Sequence, residues 1–395
     1  MLRSLPIVIA ILILWFGAQI SAQEAARPKW KYDPTLTRPF WEGEIVAGES
    51  VLFIKDEKSG EARASVLFPV LEIVSVKNSA GDLTYENGRD YIWKSGMREI
   101  VLPTGSRIVS RTPAELRRPA NSQKYQLTHR DGNGEIFFGG RLEYADMQTC
   151  ITYRHAPDAW KFPIPKFSAT ALPKSIAKLS QKQPFKIVVL GDSISAGANA
   201  SLLGDGPPYQ PAYPELFQQT LAARYSTPVD LKNLSVGGTS TDWGLKQIDA
   251  VIAEKPDLVV LAFGMNDSAG RPGGEYGKNT AGMIAGIREK LPESEFILVA
   301  SMLGNRDWIR LRQESFSEFR EELMKLCQPG IALADLTAIW TGFLELKQDW
   351  DQTGNGVNHP NDFGHRVYTQ VLATLLTPPS LLETGRGKAK PGTSD

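Results

Sequence analysis

Hydrophobic positions change their period at about residue 185. From Pro28 to Ala156 the apolar residues come in short runs rich in β-branched and aromatic side chains: Ser50 to Ile54, Ala64 to Val76 with a break at Pro69, Asp90 to Trp93, Glu99 to Leu102, Arg107 to Val109, Lys124 to Leu127 and Ile136 to Phe138. Turn formers separate them, among them Gly60, Gly81, Asn87-Gly88 and Asp131-Gly132-Asn133-Gly134. No stretch here sustains a helical repeat for three turns. Short strands at this spacing predict an all-β region of sandwich or jelly-roll type.

From Phe185 onward, unbroken apolar runs alternate with amphipathic ones. Strands are expected over Phe185–Leu190, Val229–Leu234, Leu258–Phe263, Phe296–Ser301 and Ile331–Asp335, and helices over Tyr213–Tyr225, Thr241–Glu254, Thr280–Leu291 and Gln313–Cys327. A strand reads as a continuous apolar run when both faces of its sheet are covered, so the pattern predicts a parallel sheet between two helical layers, an α/β/α sandwich with right-handed crossovers. Between the two regions, Pro157 to Pro184 holds five prolines and no strong apolar period, the composition of a surface linker.

The expected organisation is therefore a β-sandwich accessory domain over 28–156, a linker over 157–184, an α/β domain over 185–377 and a disordered tail over 378–395. At 395 residues each domain is expected to bury its own core. The first 22 residues carry Arg3, an apolar run from Leu5 to Ala18, and the small pair Ser21-Ala22. This is the pattern of a signal peptide cleaved after Ala22; the alternative is an uncleaved N-terminal anchor, against which the apolar run is shorter than the roughly 20 residues of a spanning helix. Export to the periplasm or beyond is the expectation.

Charge changes this picture by exclusion. Lys plus Arg and Asp plus Glu both number 44, so nothing electrostatic favours nucleic acid or an anionic membrane as partner. The two cysteines, Cys150 and Cys327, fall in different predicted domains; two separate thiols are expected, an inter-domain disulfide being the alternative. No Cys or His cluster has metal-ligand spacing, and neither metal nor cofactor is expected.

Chemistry gathers at strand exits. Gly191-Asp192-Ser193 follows the first strand of the α/β region, where the chain is expected to turn into a helix. Ligands collect at the carboxyl ends of parallel strands, and helix N-termini present unpaired N–H groups to anions, which makes Ser193 a candidate nucleophile. Asn233 to Gly238 (NLSVGG) and Gly264 to Asp267 (GMND) follow at later exits, and Asn358 to His365 (NHPNDFGH) in the last loop before a terminal helix. Singly, each reads as a cap or a tight turn.

Together, in this order, they resemble the SGNH hydrolases, also called the GDSL esterase/lipase superfamily, over roughly Phe185 to Leu376. The resemblance implies a flavodoxin-like α/β/α fold, Ser193 as nucleophile and His359 as base. It implies an oxyanion hole from the Ser193 N–H, a backbone N–H of Gly237 or Gly238, with Gly237 favoured by alignment, and the Asn266 side chain. His365 begins the run HRVYTQVLATLL and is expected to pack in the last helix instead. Many members carry an aspartate three residues before the histidine. That place here is Gly356, with Asn355 and Asn358 around it, so either Asp351, Asp362 or a backbone carbonyl orients His359.

The loops 199–214, 268–279 and 303–308 carry Tyr209, Tyr213, Tyr276 and Trp308 and no long apolar lid. They suit a small acyl group on a hydroxylated carrier, and some exported carbohydrate esterases of the superfamily pair it with a β-sandwich. The expected partner is an acetylated glycan; a lipase, thioesterase or arylesterase on the same site, or a glycan-binding protein with impaired catalysis, are the alternatives. Trp41, Tyr85, Tyr91, Trp93, Phe137, Phe138 and Tyr144 belong either to the core of the β region or to a sugar-stacking face, the core being favoured. His129 and His155 lie beside turns and are expected at the surface.

Overall fold

The apolar runs of the second half form one parallel sheet, in the order Val229–Asn233, Phe185–Gly191, Leu258–Ala262, Glu295–Ala300, Ile331–Asp335. All four pairings are parallel. The computed structural model describes residues 30–383; the expected signal peptide and the chain beyond Glu383 lie outside them. Because strand side chains alternate between faces, Ile187, Val189, Val260, Ile297 and Val299 pack on one side with Tyr213, Phe217, Val367 and Val371, from helices Tyr213–Tyr225 and Asp362–Leu376. Val188, Leu190, Val259, Leu261, Phe296 and Leu298 pack on the other with Met283, Ile287, Phe319 and Leu323, from helices Gly273–Lys290 and Gln313–Leu326. The result is the expected three-layer sandwich. Strand order reverses around Phe185–Gly191, so Ser193 lies at the switch point where such folds bind ligands.

Two helices depart from expectation, each at glycine. The stretch over Thr241–Glu254 is broken into Thr241–Gly244, a 3₁₀ turn Leu245–Gln247 and Ile248–Glu254. Helix Gly273–Lys290 starts well before Thr280: Gly273 and Gly277 are poor helix formers by propensity but lie against Glu318 and Glu322, where any Cβ would come within 3.0 Å.

The first half is β-rich as expected. Ile45–Val51, Thr149–Arg154 and Glu72–Asn78 form an antiparallel sheet with Thr149–Arg154 in the middle. A second sheet runs Ile92–Trp93, Glu99–Leu102, Ala62–Ser65, Phe53–Lys55, Ser110–Arg111, and Arg117–Arg118 pairs with Glu135–Ile136. Lys124–Leu127 is not a strand; the chain there meets Glu135–Ile136 through a bridge at Thr128 and through Ile136 N donating to the Leu127 carbonyl at 2.9 Å.

The expected partition into separate cores gives way to a shared one. Phe40, Phe68, Tyr153 and Trp160 join Phe343, Phe363 and Val367 in a single buried cluster. Residues 157–184 are not a free linker: Trp160 is buried, packs 5.6 Å from Phe343, and occupies the space a Cβ at Gly342 would need, while Pro173–Ser180 is helical. Proline count signals an extended chain but does not reveal that its aromatic residues have somewhere to go.

A buried ion pair spans the same junction. Lys347 Nζ bonds Glu49, both side chains being fully buried, and also donates to the Ser50 carbonyl at 3.0 Å. Glu49 further accepts from Tyr153 Oη at 2.7 Å and Leu67 N at 3.0 Å, so each charge has its opposite and at least one neutral hydrogen-bond partner. His129 and His155, expected at the surface, are buried as well. His155 packs 4.3 Å from the Phe68 ring, and His129 lies among Arg117, Asp131 and Asp307. Cys150 and Cys327 are free thiols. Pro379–Glu383, within the expected tail, forms a short helix.

Candidate active site

Ser193 leaves the sheet two residues after strand Phe185–Gly191. Gly191 is required there, since a Cβ would lie 2.4 Å from the Ala262 carbonyl and 2.5 Å from Ser195 Oγ. The next residues form successive turns, not the expected helix: Gly197 and Asn199 take φ of 97° and 63°, outside the helical region, and the next helix begins only at Tyr213. Asp192 caps the turn by accepting from Ile194 N at 3.0 Å, and burial pushes its carboxyl up to about 7. Ser193 itself is half-buried.

The structure brings His359 to Ser193. The imidazole Nε2 lies 2.9 Å from Ser193 Oγ, the contact through which a base takes a hydroxyl proton. His359 occupies a loop closed by the Thr353–Pro360 bridge and by Gly354 N donating to the His359 carbonyl at 2.8 Å. Burial pushes its imidazole down to about 4, and no charged group offsets that. His365 is buried in the last helix, its Nε2 3.1 Å from the Ala198 carbonyl and its Nδ1 accepting from Tyr213 N, so it braces the turns after Ser193.

The two glycines separate here. A Cβ at Gly237 would lie 3.7 Å from Ser193 Cβ, whereas Gly238, at φ 79°, has nothing within 4 Å. Among the described residues the main-chain N–H groups of Ser193 and Gly237 donate to no protein acceptor. Asn266 joins the same loop, donating from Nδ2 to the Thr239 carbonyl at 2.8 Å. Asp267 anchors the arrangement from below, accepting from Thr241 N at 3.1 Å and Oγ1 at 2.6 Å and pairing with Arg271. Free amides beside a serine are what an oxyanion needs.

Neither aspartate named as a possible orienting acid touches the histidine. Asp351 accepts from Leu52 N at 2.8 Å and Asp362 from Ser201 N at 2.9 Å. What faces Nδ1 is the Asn199 Oδ1, at 2.8 Å. Asn355 Nδ2 also lies 3.0 Å from Nδ1. Asn199 carries no motif, and the missing aspartate at 356 is the only sign that an acceptor must come from elsewhere. That vacancy has a steric cause: Gly356 takes φ 85°, and a Cβ there would lie 2.5 Å from the Phe137 carbonyl and 2.7 Å from the Tyr144 ring. The β-rich region fills the place of the aspartate.

Residues 189–367 match the model of the GDSL-like lipase/acylhydrolase family. The α/β part of this chain is a GDSL-like lipase/acylhydrolase domain. No curated protein matches the chain. Solved structures similar to the GDSL-like domain include the lipase Lip_vut3 from a goat rumen metagenome (19% identity, 48% of this chain and 95% of that one, TM-score 0.40) and the lipase/acylhydrolase from Enterococcus faecalis (23%, 48% and 93%, 0.37). A two-domain esterase active on acetylated mannans, co-crystallised with mannopentaose, matches at 17% identity over 54% of this chain and 56% of its own, with a TM-score of 0.42.

Around the GDSL-like domain's site the aromatic residues divide. Tyr213 and Tyr276, expected in pocket loops, are buried, as are Trp41, Tyr85, Tyr91, Phe137 and Tyr144, which belong to the core. Phe138 and Trp308 pack on Val357, two residues before His359, and Tyr125 meets Phe138 edge-on at 5.2 Å while remaining 48% exposed. Among the described residues no group of three or more His, Cys, Asp or Glu side chains comes together as a metal site, and no helix is long and apolar enough to cross a membrane.

Proposed function

We propose that the protein is an exported serine esterase that removes acetyl groups from a polysaccharide or oligosaccharide. The observation that carries this reading is the 2.9 Å contact between Ser193 Oγ and His359 Nε2 beside the unpaired amides of Ser193 and Gly237, within a domain whose family supports ester hydrolysis. Ser193 Oγ attacks the ester carbonyl as His359 Nε2 takes its proton. The carbonyl oxygen becomes an oxyanion facing the Ser193 and Gly237 N–H groups and Asn266. Collapse expels the sugar hydroxyl, which receives the proton from His359, and leaves an acyl-Ser193. Water, deprotonated by His359, then releases acetate.

The glycan reading is supported by the half-exposed aromatic edge of Tyr125, Phe138 and Trp308 beside the histidine loop, since flat rings stack on sugar faces. A competing reading has its own observation. Val236, next to Gly237, is 47% exposed, and Leu202 and Leu203 are exposed near Asn199, surfaces suited to a longer acyl chain. Acetate release from acetylated polysaccharides and monosaccharides, with Ser193→Ala alongside, tests the proposal. Release by the parent and not the variant is expected; cleavage of long-chain or aromatic esters alone transfers the site to a lipase or arylesterase, and inactivity on every ester favours a glycan-binding protein.

A further inference from the structure

Resting on the Ser193–His359 reading, we propose that Asn199 is the positioning residue for His359, and that a main-chain carbonyl of the β-rich region decides which end of its amide faces the imidazole. An asparagine amide has a donor end and an acceptor end, and its neighbours determine which is which. Asn199 Nδ2 donates to the Arg141 carbonyl at 3.1 Å and to the Gly354 carbonyl at 3.0 Å. Two carbonyls on one side leave the amide no other orientation, so Oδ1 is the atom directed at His359 Nδ1, 2.8 Å away. The Nδ1 must then carry the proton. Its Nε2 lone pair is left facing Ser193 Oγ, which is the tautomer a general base needs.

Asn355 opposes this arrangement and loses. Its Oδ1 is held by the N–H groups of Val357 and Asn358, at 2.9 and 3.0 Å, so Nδ2 points at His359 Nδ1 and would favour the opposite tautomer. That Nδ2 has a second acceptor in Asn358 Oδ1 at 3.1 Å, whereas Asn199 Oδ1 has only the imidazole among the described hydrogen bonds. Removing Asn199 therefore hands His359 to Asn355.

The β-rich region is built to hold this contact. Arg141, which supplies the carbonyl, takes φ 47° and ties its guanidinium to the Gly204 carbonyl at 3.0 Å. Nearby, Gly139 N donates to the Asn355 carbonyl at 3.1 Å, and Gln148 Nε2 donates to the Trp350 and Thr353 carbonyls, both at 2.9 Å. On the partner side Gly354 leaves space for Asn199, whose Cβ would lie 2.7 Å from a Cβ there. An aspartate at 199 offers the imidazole the same acceptor but turns a second oxygen toward two carbonyls, so the amide is matched to this cradle.

The arrangement differs from an aspartate in charge as well as in shape. Titratable and charged groups on the surrounding elements are Asp192 below Ser193, Asp351 before the histidine loop, Asp362 and His365 on the last helix, and Arg141 on the β-rich region. Each has its own partner, and none is hydrogen-bonded to His359. A neutral positioning group leaves the imidazole unassisted against protonation, so the base works into acid.

The full mature chain, its Asn199→Ala, Asn199→Asp and Ser193→Ala variants, and p-nitrophenyl acetate as probe provide the test. Measurements are kcat and KM against pH, and ¹⁵N imidazole NMR, in which the four histidines permit assignment of His359 by its own substitution. N199A is expected to lose about 10² to 10⁴-fold in kcat with little change in KM, and to move His359 to the Nε2–H tautomer. N199D keeps an acceptor but adds charge; its acid limb should rise by about a pH unit or more, with kcat partly recovered above that limb. If N199A does not fold, the N199D pH profile alone decides. A parent-like kcat or an unchanged Nδ1–H in folded N199A, or an unmoved acid limb in N199D, overturns the proposal. Full activity of S193A instead defeats the esterase reading, while loss in S193A with parent-like N199A defeats this inference alone.

Discussion

Ser193 and His359 meet at 2.9 Å, yet the chain supports them by opposite means. Ser193 follows directly from a buried strand of the parallel sheet, and the first turns after it, before Asn199 meets the β-rich region, are braced from within the GDSL-like domain, by Asp192, His365 and the Asn233 amide, which donates to the Ser195 carbonyl at 2.7 Å. His359 stands on a loop whose rear face is β-rich region: Phe137 and Tyr144 against Gly356, Gln148 across the Trp350–Thr353 carbonyls, Gly139 on Asn355. The serine is a product of the sheet; the histidine is a product of the junction. The lesson is that an accessory region can be part of a site without contributing a reacting atom.

That contrast can be broken most sharply at the nucleophile. Ser193→Ala should lower turnover by about 10⁴-fold or more with melting temperature unchanged, because only the reacting oxygen is removed. Lys347→Ala attacks the junction instead: with Glu49 left buried and unpaired it should lose about 3–5 kcal/mol in denaturant unfolding, whereas Lys347→Met with Glu49→Leu should recover most of that. If Asn266 donates to the oxyanion as proposed, Asn266→Ala should cost about 10²–10³-fold in kcat. Gly356→Ala should cost about 1–3 kcal/mol, from a left-handed backbone and the clash with the Phe137 carbonyl, and should slow the base side without altering Ser193's surroundings. The smallest effect lies in pH. His359 acts only when neutral, so with its imidazole near 4 the rate should hold as pH falls to about 5 and drop below that; an acid limb near 7 contradicts the uncharged setting described for it.

The same contrast governs what can be read from sequence. Strand Leu258–Ala262 is legible because a fully buried strand reads as the unbroken apolar run LVVLA, and helix Tyr213–Tyr225 has Pro214 in its first turn, where proline is at home. Ser193 and Asn266 stand in motifs at strand exits, and His359 in a motif just before the last helix. The junction has no such grammar. Strand Thr149–Arg154 hides because its buried positions include Thr149, although Ile151 and Tyr153 do alternate with more exposed neighbours. Asn199, Arg141 and Gln148 act through amides and carbonyls whose partners are over fifty residues distant, and no periodicity encodes that. The shared core is equally silent, since Phe40 and Trp160 look the same whether they pack within a region or between two.

The most direct test of the central claim, that Ser193 is a nucleophile activated by His359, is active-site labelling with a fluorophosphonate followed by peptide mapping. The account predicts one phosphonyl group, on the peptide carrying Ser193, absent in Ser193→Ala and strongly slowed in His359→Ala. Ester hydrolysis persisting with Ser193 unlabelled, or label on another residue, contradicts it.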